Sequence, residues 1–529
     1  MRLLFLYMTI LLLGNSCGHS QKIIDGQIIP SSVLSDYVEK FNASDDELFA
    51  NYIPNSTAFE FLAANIPWFE CPDKDMEEIY YFRWWTFRKH IRQTPEGFII
   101  TEFLPDVPWA GKYNAISCPA LHHFNEGRWL HNHLYLNDYA DYWLRKDGSV
   151  RSYSFPVAHA LYSQYLVSGN DSIVKDLLPD LISNYETWEK ERYDASCGLF
   201  WQIDDRDGME VSIGGSGYRV TINSYMSAEA KAIAQIAQLL QHPVARLFDE
   251  KSAQIRTNML KTLWDKDAGF IKVLPRKEGS VLCDARELHG YTPWCFNLFE
   301  EAEYAQAWKY LMDSAHFYAP YGPTTAEQCH PGFKISYEGH ECQWNGPSWP
   351  FATSVTLTGL ANLLNTLKQN YISKNDYFEL LQIYTKCHQL EKNDGTVVPW
   401  IDENINPFTG DWISRTRLKS WENGTWSKRK GGIERGKDYN HSTYCDLIIS
   451  GLIGIRPQDD DTLVVNPLLP ENVWDYFCLE NITYHDKKIT VLYDRTGTKY
   501  NKGKGLIIFV NGTRKASSQT LSPLRCNLK

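Results

Sequence analysis

A helical spacing of apolar residues, repeated along the chain and interrupted by long, chemically rich loops, constrains this sequence more than any other feature. Ile173, Leu177, Leu181, Tyr185 and Trp188 recur three or four positions apart, which puts them on one face of a helix. Met226, Ala230, Ile233, Ala237 and Leu240 repeat the pattern, and similar stretches run from Leu298 to Leu311, Val355 to Leu367, Tyr377 to Leu390 and Tyr444 to Ile453. The loops between them are dense in Trp, Gly, Asp and Glu. A helix with one apolar face needs a neighbour to cover it, so hairpin after hairpin predicts a mainly α toroid that presents its loops at one end. The short apolar strands of an eight-stranded βα barrel do not alternate with these helices, which makes that fold the second choice.

The texture changes after Arg456. Thr462 to Val465, Lys488 to Leu492 and Leu506 to Val510 read as strands, and Asn511-Gly512 after the last is a turn signal. The chain therefore divides into a leader over 1–17, an N-terminal extension over 18–75 packed on the toroid, the toroid itself over 76–456, and a small β-domain over 457–529.

The leader carries Arg2, an apolar run from Leu3 to Leu13, and Gly14-Asn15-Ser16-Cys17. A positive charge, a short apolar core and small residues before a Cys are the parts of an export signal, and the run is too short to span a bilayer. The same residues resemble a loose lipobox, in which Cys17 becomes a lipidated N-terminus. The expected location is the periplasm or outer membrane as a lipoprotein, with ordinary secretion as the alternative. Any membrane contact is through that lipid anchor. Cys17 leaves eleven of the twelve cysteines, without the paired C-x-x-C spacing of a zinc site. Asn-x-Ser/Thr triplets begin at Asn42, Asn55, Asn170, Asn423, Asn481 and Asn511, and they matter only in a eukaryotic host.

The net charge of −11 argues against nucleic acid, whose binders cluster Lys and Arg to neutralise phosphates. The mildly basic stretch Lys428 to Lys437 reads as a solvated loop. Gly214-Gly215-Ser216-Gly217 before Arg219 lacks the spacing of a nucleotide-binding loop. Aromatic residues reach 14%, with 18 Trp and 31 Tyr. Such an excess suits sugar rings, whose flat C–H faces stack on Trp and Tyr. A large aromatic core accounts for it equally well.

Three stretches carry the chemistry. They are Trp201 to Glu210, containing Asp204-Asp205-Arg206-Asp207-Gly208-Met209-Glu210; Glu341 to Pro350, containing Trp344-Asn345-Gly346-Pro347-Ser348-Trp349-Pro350; and Glu403 to Gly410, Glu-Asn-Ile-Asn-Pro-Phe-Thr-Gly. A Gly-rich acidic loop, a Trp-Pro turn and a second, lone acid in a later loop are what glycoside hydrolysis requires: an acid for the leaving oxygen and a base for water.

With these motifs the chain resembles the clan of inverting (α/α)6 glycosidases that includes the processing α-glucosidases of family 63, the trehalases and the mannosylglycerate-hydrolase-like enzymes. The resemblance spans about residues 80 to 456 and keeps the chain order of the three motifs. It implies that Glu210 is the general acid and Glu403 the general base. The acid position carries Glu where the family has Asp, so Asp207 is the alternative acid. Inversion implies carboxyls about 6.5–9.5 Å apart, leaving room for a water. No metal or organic cofactor is required, and the partner is an oligosaccharide or glycoside.

Further substrate contacts follow from the same comparison. Trp84 and Trp85 are candidates for a sugar-binding subsite, with a helix core as the alternative. His123 and Arg128 lie where several relatives have Trp-Asp, and His122-His123 is better spaced for hydroxyls than for a metal. Trp201, Trp344 and Trp349 are candidate lining residues, and His441 is placed to touch the base or its water. Two competing readings are a non-catalytic carbohydrate-binding protein and a polysaccharide lyase on the same scaffold; the lyase needs a Tyr/His pair and basic residues for uronates.

Overall fold

A computed structural model describes residues 27–49, 52–335, 342–392, 394–413 and 435–529. Cys17 with the rest of the leader, Glu341, Asn423 and the stretch from Lys428 to Glu434 lie outside the described residues. No helix among the described residues is long and apolar enough to cross a membrane.

The helices are α1 (Ser31–Ala43), α2 (Ala58–Asn65), α3 (Lys74–Lys89), α4 (Ala120–Gly127), α5 (Leu134–Arg145), α6 (Val157–Ser168), α7 (Ser172–Arg192), α8 (Val220–Leu239), α9 (Val244–Thr262), α10 (Thr292–Cys295), α11 (Pro350–Thr366) and α12 (Lys374–Cys387). Among the described residues, α4, α6, α8, α10, α11 and the π-helical turn Leu447–Leu452 pack one upon the next as an inner ring. Their sequences are apolar or small on almost every face, as burial on all sides demands. In α8, for example, the run from Val220 to Ala230 is buried throughout. The ring closes where the Glu126 carboxylate, at the end of α4, accepts the backbone N–H groups of Tyr444 at 3.1 Å, Cys445 at 2.9 Å and Asp446 at 2.9 Å. Three donors left open at a helix start thus find one carboxylate.

Outer helices α5, α7, α9 and α12 pack against this ring or against each other and bury a single stripe. In α9 the stripe is Phe248, Ser252, Ile255 and Met259, the spacing of an amphipathic helix. This is the expected (α/α)6 toroid.

Two expected helices take other windings. Within Leu298 to Leu311 the helical part is a 3-10 segment, Tyr304–Tyr310, that seats the Trp308 ring 4.4 Å from Tyr291. Within Tyr444 to Ile453 the winding is the π-turn noted above.

The C-terminal strands form a five-stranded antiparallel sheet (Trp68–Glu70, Tyr476–Tyr484, Lys487–Asp494, Gly505–Val510, Thr513–Ser518) and a three-stranded sheet of Ile455–Arg456, Thr462–Val465 and Leu524–Asn527. The turn Asn511-Gly512 has positive φ at both residues, the demand of a tight hairpin. One strand comes from the opposite end of the chain: Trp68–Glu70 pairs with Tyr476–Tyr484, Phe69 opposite Leu479. The Glu480 carboxylate also accepts the N–H groups of Ile28 at 3.0 Å and Ile29 at 2.7 Å. The N-terminal segment therefore covers α3 with α1 and then joins the β-sheet.

Candidate active site

At the loop end of the toroid lies a cavity of about 240 Å³ whose walls include Glu102, Glu210, Trp344, Trp349, Glu403 and His441. Segments more than 300 residues apart in the chain meet there.

Glu210 arrives on a tightly turned loop. A 3-10 turn, Asp204–Asp207, ends at Gly208 with φ +69°, and a Cβ there would sit 2.4 Å from the Cys118 sulfur. Only glycine permits both that conformation and that approach. The Glu210 carbonyl accepts the Trp344 N–H at 3.0 Å, tying the loop to the tryptophan segment. Among the described residues no Lys or Arg bonds to its half-buried carboxyl, and burial pushes it up to about 8, with the charges of Asp205, Glu403 and Asp204 adding to the rise.

Asp207, the alternative acid, is held elsewhere. Its carboxylate is fully buried, 2.6 Å from Arg219 Nε and 2.6 Å from the Ser154 hydroxyl, and it is absent from the cavity wall. Arg219 also donates to Ser212 at 3.1 Å and to the Gly215 carbonyl. This guanidinium, which follows the glycine-rich loop, is spent on pinning the acid loop.

Glu403 sits in a contrasting environment. Arg435 Nη2 donates to Oε2 at 2.9 Å and the Cys342 thiol lies 3.0 Å from Oε1. Its carbonyl accepts from His441 Nε2 at 3.0 Å, and two backbone bonds between Ser348 and Ile405, 2.9 and 3.1 Å, clamp its loop beside the start of α11. Pro350 opens that helix at a position where its missing N–H costs nothing. Burial drives His441 down to about 3, so the ring is neutral, and its Nδ1 is buried without a protein partner among the described residues. The Trp344 and Trp349 rings stack 4.5 Å apart at 16°.

The structure does not bring the remaining predicted contacts to the cavity. Trp84 and Trp85 stand in α3, which α1 sheathes. Trp84 packs edge-on to Tyr80 and Phe87, and the Trp85 indole N–H donates to Asn42 at 2.8 Å. Both are core residues, the alternative that an aromatic helix always carries. His123 is buried, with Nε2 2.7 Å from the Asn440 carbonyl and Nδ1 3.0 Å from the Tyr139 hydroxyl. Its neighbour His122 packs edge-on to Phe351, itself a wall residue. Arg128 pairs with Asp446 at 2.7 Å and faces a different cavity at the far end of α11. Trp201 lies between the Arg192 and Arg276 guanidinium groups, 4.3 and 4.4 Å from its ring.

Several wall residues have no counterpart in the motif reading, among them Glu102, Arg435 and Tyr439. Burial raises the Glu102 carboxyl to about 8, Tyr439 hydrogen-bonds to it, and the charges of Glu403 and Glu210 raise it further. Glu102 stands alone between Thr101 and Phe103 with no acidic or aromatic pattern around it. Arg435 belongs to the basic stretch expected to be solvated, yet it is 3% exposed. The buried ion pair explains the difference. Outside the cavity, His316, Glu327 and Cys329 bring possible metal-ligand atoms within 4.8 Å of one another, but Glu327 already pairs with Arg286 at 2.9 Å. No disulfide joins the described cysteines.

A family model described as the mannosylglycerate hydrolase MGH1-like glycoside hydrolase domain matches residues 112–442. The chain belongs to the MGH1-like glycoside hydrolase family. A second model, the C-terminal domain of glycosyl hydrolase family 65, matches residues 455–516 of this MGH1-like protein. A solved structure named "Sialidase" is 38% identical over 94% of the chain with a TM-score of 0.87, and the chain spans only 45% of that protein. The α-L-rhamnosidase of Streptomyces avermitilis complexed with L-rhamnose is 12% identical, over 85% of this chain and 38% of its own, with a TM-score of 0.50. That likeness concerns the fold alone. The GH63 mannosylglycerate hydrolase of Thermus thermophilus in complex with glucose is 12% identical, over 63% of this chain and 95% of its own, with a TM-score of 0.47.

Proposed function

We propose that this MGH1-like protein is an inverting exo-glycosidase acting on an oligosaccharide or glycoside, with Glu210 as general acid and Glu403 as general base. One observation carries the reading: two carboxyls from loops almost 200 positions apart share a single sugar-sized cavity, one of them desolvated and the other paired with Arg435. Glu210 is desolvated and pushed up to about 8, so at neutral pH it keeps a proton to give to the glycosidic oxygen. Glu403 is paired with Arg435 at 2.9 Å, and a guanidinium that close favours the carboxylate. It takes a proton from water as the water's oxygen attacks the anomeric carbon from the face opposite the leaving group. The C–O bond breaks, the aglycone leaves carrying the Glu210 proton, and the proton from water resides on Glu403.

Asp207 is ill suited to the acid role because its carboxyl is bonded to Arg219 and Ser154 and does not line the cavity. A pocket of about 240 Å³ favours cleavage at a chain end. The Trp344 and Trp349 pair supplies a flat apolar wall for a ring. The lyase reading fits less well, since Arg435, the basic wall residue, already serves Glu403. Export, with Cys17 as lipidation site or the leader simply cleaved, belongs to the same proposal and rests on the leader alone.

The test is a glycoside screen in which the anomer first released is read by NMR, with wild type and Glu403→Gln in parallel. An inverted product from the wild type and none from the variant is expected. A retained anomer, or full activity in the variant, removes the mechanism.

A further inference from the structure

The cavity contains more acid than the two-carboxyl mechanism uses. Glu102, Glu210 and Glu403 all line it, while Arg435 is the cationic member of the wall among the described residues and is bonded to Glu403 at 2.9 Å. His441 is neutral, driven down to about 3 by burial. Were all three acids ionised, the wall would carry a net charge of −2 in a volume of about 240 Å³, and the like charges would repel strongly at the low dielectric of a partly closed site.

Glu102 is also fixed in place. Its carbonyl accepts the Asn440 N–H at 3.1 Å, and the neighbouring Thr101 carbonyl accepts from the Asn440 side chain at 3.1 Å. The loop entering from the strand Gly97–Ile100 is thereby locked to the segment that carries Tyr439 and His441. The Tyr439 hydroxyl holds the carboxyl. Among the described residues no Arg or Lys bonds to it, and the nearby Arg435 charge only partly offsets the effect of burial. This is a buried carboxyl positioned by two backbone anchors and pointed at the space where the proposed glycosidase reading seats a sugar.

We propose that Glu102 is a substrate-binding residue of this cavity, donating a hydrogen bond to a hydroxyl of a neutral sugar seated between Glu210 and Glu403 and turning away sugars that carry a carboxylate. The inference rests on the glycosidase reading and adds a residue and a substrate class to it. A protonated carboxyl offers one O–H donor together with acceptor lone pairs, which matches the donor and acceptor character of a sugar hydroxyl. Its rise to about 8 keeps that donor through neutral pH. A uronate or sialate would have to desolvate its carboxylate against a wall whose cation is already paired with Glu403, and a buried charge without a partner of opposite sign is strongly disfavoured. The solved structure named "Sialidase" shares less than half its length with this chain, and the site proposed here is unsuited to an acidic sugar.

The test reads binding, not turnover, in a Glu210→Gln parent that lacks the acid and its titration. Glucose, mannose, galactose and L-rhamnose, with glucuronate and N-acetylneuraminate as acidic probes, are titrated calorimetrically. At least one neutral sugar is expected to bind and neither acidic one. Adding Glu102→Ala should weaken the neutral sugar about tenfold or more, roughly the worth of one lost hydrogen bond in a buried site. Glu102→Gln keeps a donor of the same shape and should stay within about threefold. In the parent the affinity should fall between pH 6 and 9 as Glu102 ionises, whereas with Glu102→Gln it should stay flat; this pH contrast would not arise from a purely structural role. Unchanged affinity with Glu102→Ala, or acidic sugars binding as well as neutral ones, overturns this inference and leaves the catalytic reading standing. If no sugar binds the parent at all, the sugar site itself is lost and both readings go.

Discussion

The loops that carry Glu210 and Glu403 bring the same chemical group to one cavity and treat it in opposite ways. In the first loop the Arg219 guanidinium goes to Asp207, three residues before Glu210, at 2.6 Å, and Glu210 is desolvated and pushed up to about 8. In the second, Arg435 goes directly to Glu403. The lesson is that the acid and base of a carboxylate pair are told apart by where the cations are placed, since the side chains are identical. Asp207 makes the point again inside one loop: the carboxylate paired with a guanidinium is the structural one.

The hardest test of this contrast is Glu403→Gln. If Glu403 activates water, kcat should fall by about 10³-fold or more on every substrate, at the upper range for loss of a general base. Glu210→Gln should show a different dependence on the leaving group. The loss should be about 10²–10³-fold on alkyl glycosides, whose oxygen needs a proton, and far smaller on glycosyl fluorides, which depart without one. Equal losses on both substrates would mean that Glu210 is not the acid.

A subtler test moves the cation. Arg435→Gln should shift the acidic limb of the kcat/KM profile to higher pH by about one unit or more, because an opposite charge at this range lowers a carboxylate by 1–3 units. The alkaline limb near 8, set by Glu210, should hardly move. The smallest effects are on stability and have opposite signs. The folded state raises the Glu210 carboxyl above its ordinary 4.5, so the unfolded chain releases this proton first and stability declines as pH rises from about 4.5 to 8. Glu210→Gln should therefore raise Tm at pH 8 relative to wild type and leave it nearly unchanged at pH 4. Glu403→Gln should lower Tm at neutral pH, because it leaves Arg435 buried without its charge partner.

Much of the scaffold was legible in the sequence. The stripe of α7 is visible because a half-buried helix must repeat its apolar residues every three or four positions. The Trp344 to Pro350 and Glu403 to Gly410 motifs pointed to the cavity because both are continuous in the chain. Trp84 and Trp85 misled for a definite reason: whether an aromatic helix faces a ligand or another helix depends on what covers it, and here the cover is α1, brought by a strand pairing of Phe69 with Leu479. No local pattern reports a contact across 410 positions. Arg128 and His123 failed in the same way, each being spent on a partner more than 300 positions away.

Sequence alone determined the helical hairpins, the β-texture after Arg456 and the two acid-bearing motifs, because periodicity and turn chemistry act between neighbours. Only the tertiary structure decided which acid is desolvated and which is paired with a guanidinium, that Glu102 lines the cavity and that Arg435 is buried. Burial and Coulomb energy depend on distances through space, and the groups that set them, such as Arg435 beside Glu403 or Asn440 behind Glu102, lie tens to hundreds of positions apart in the chain.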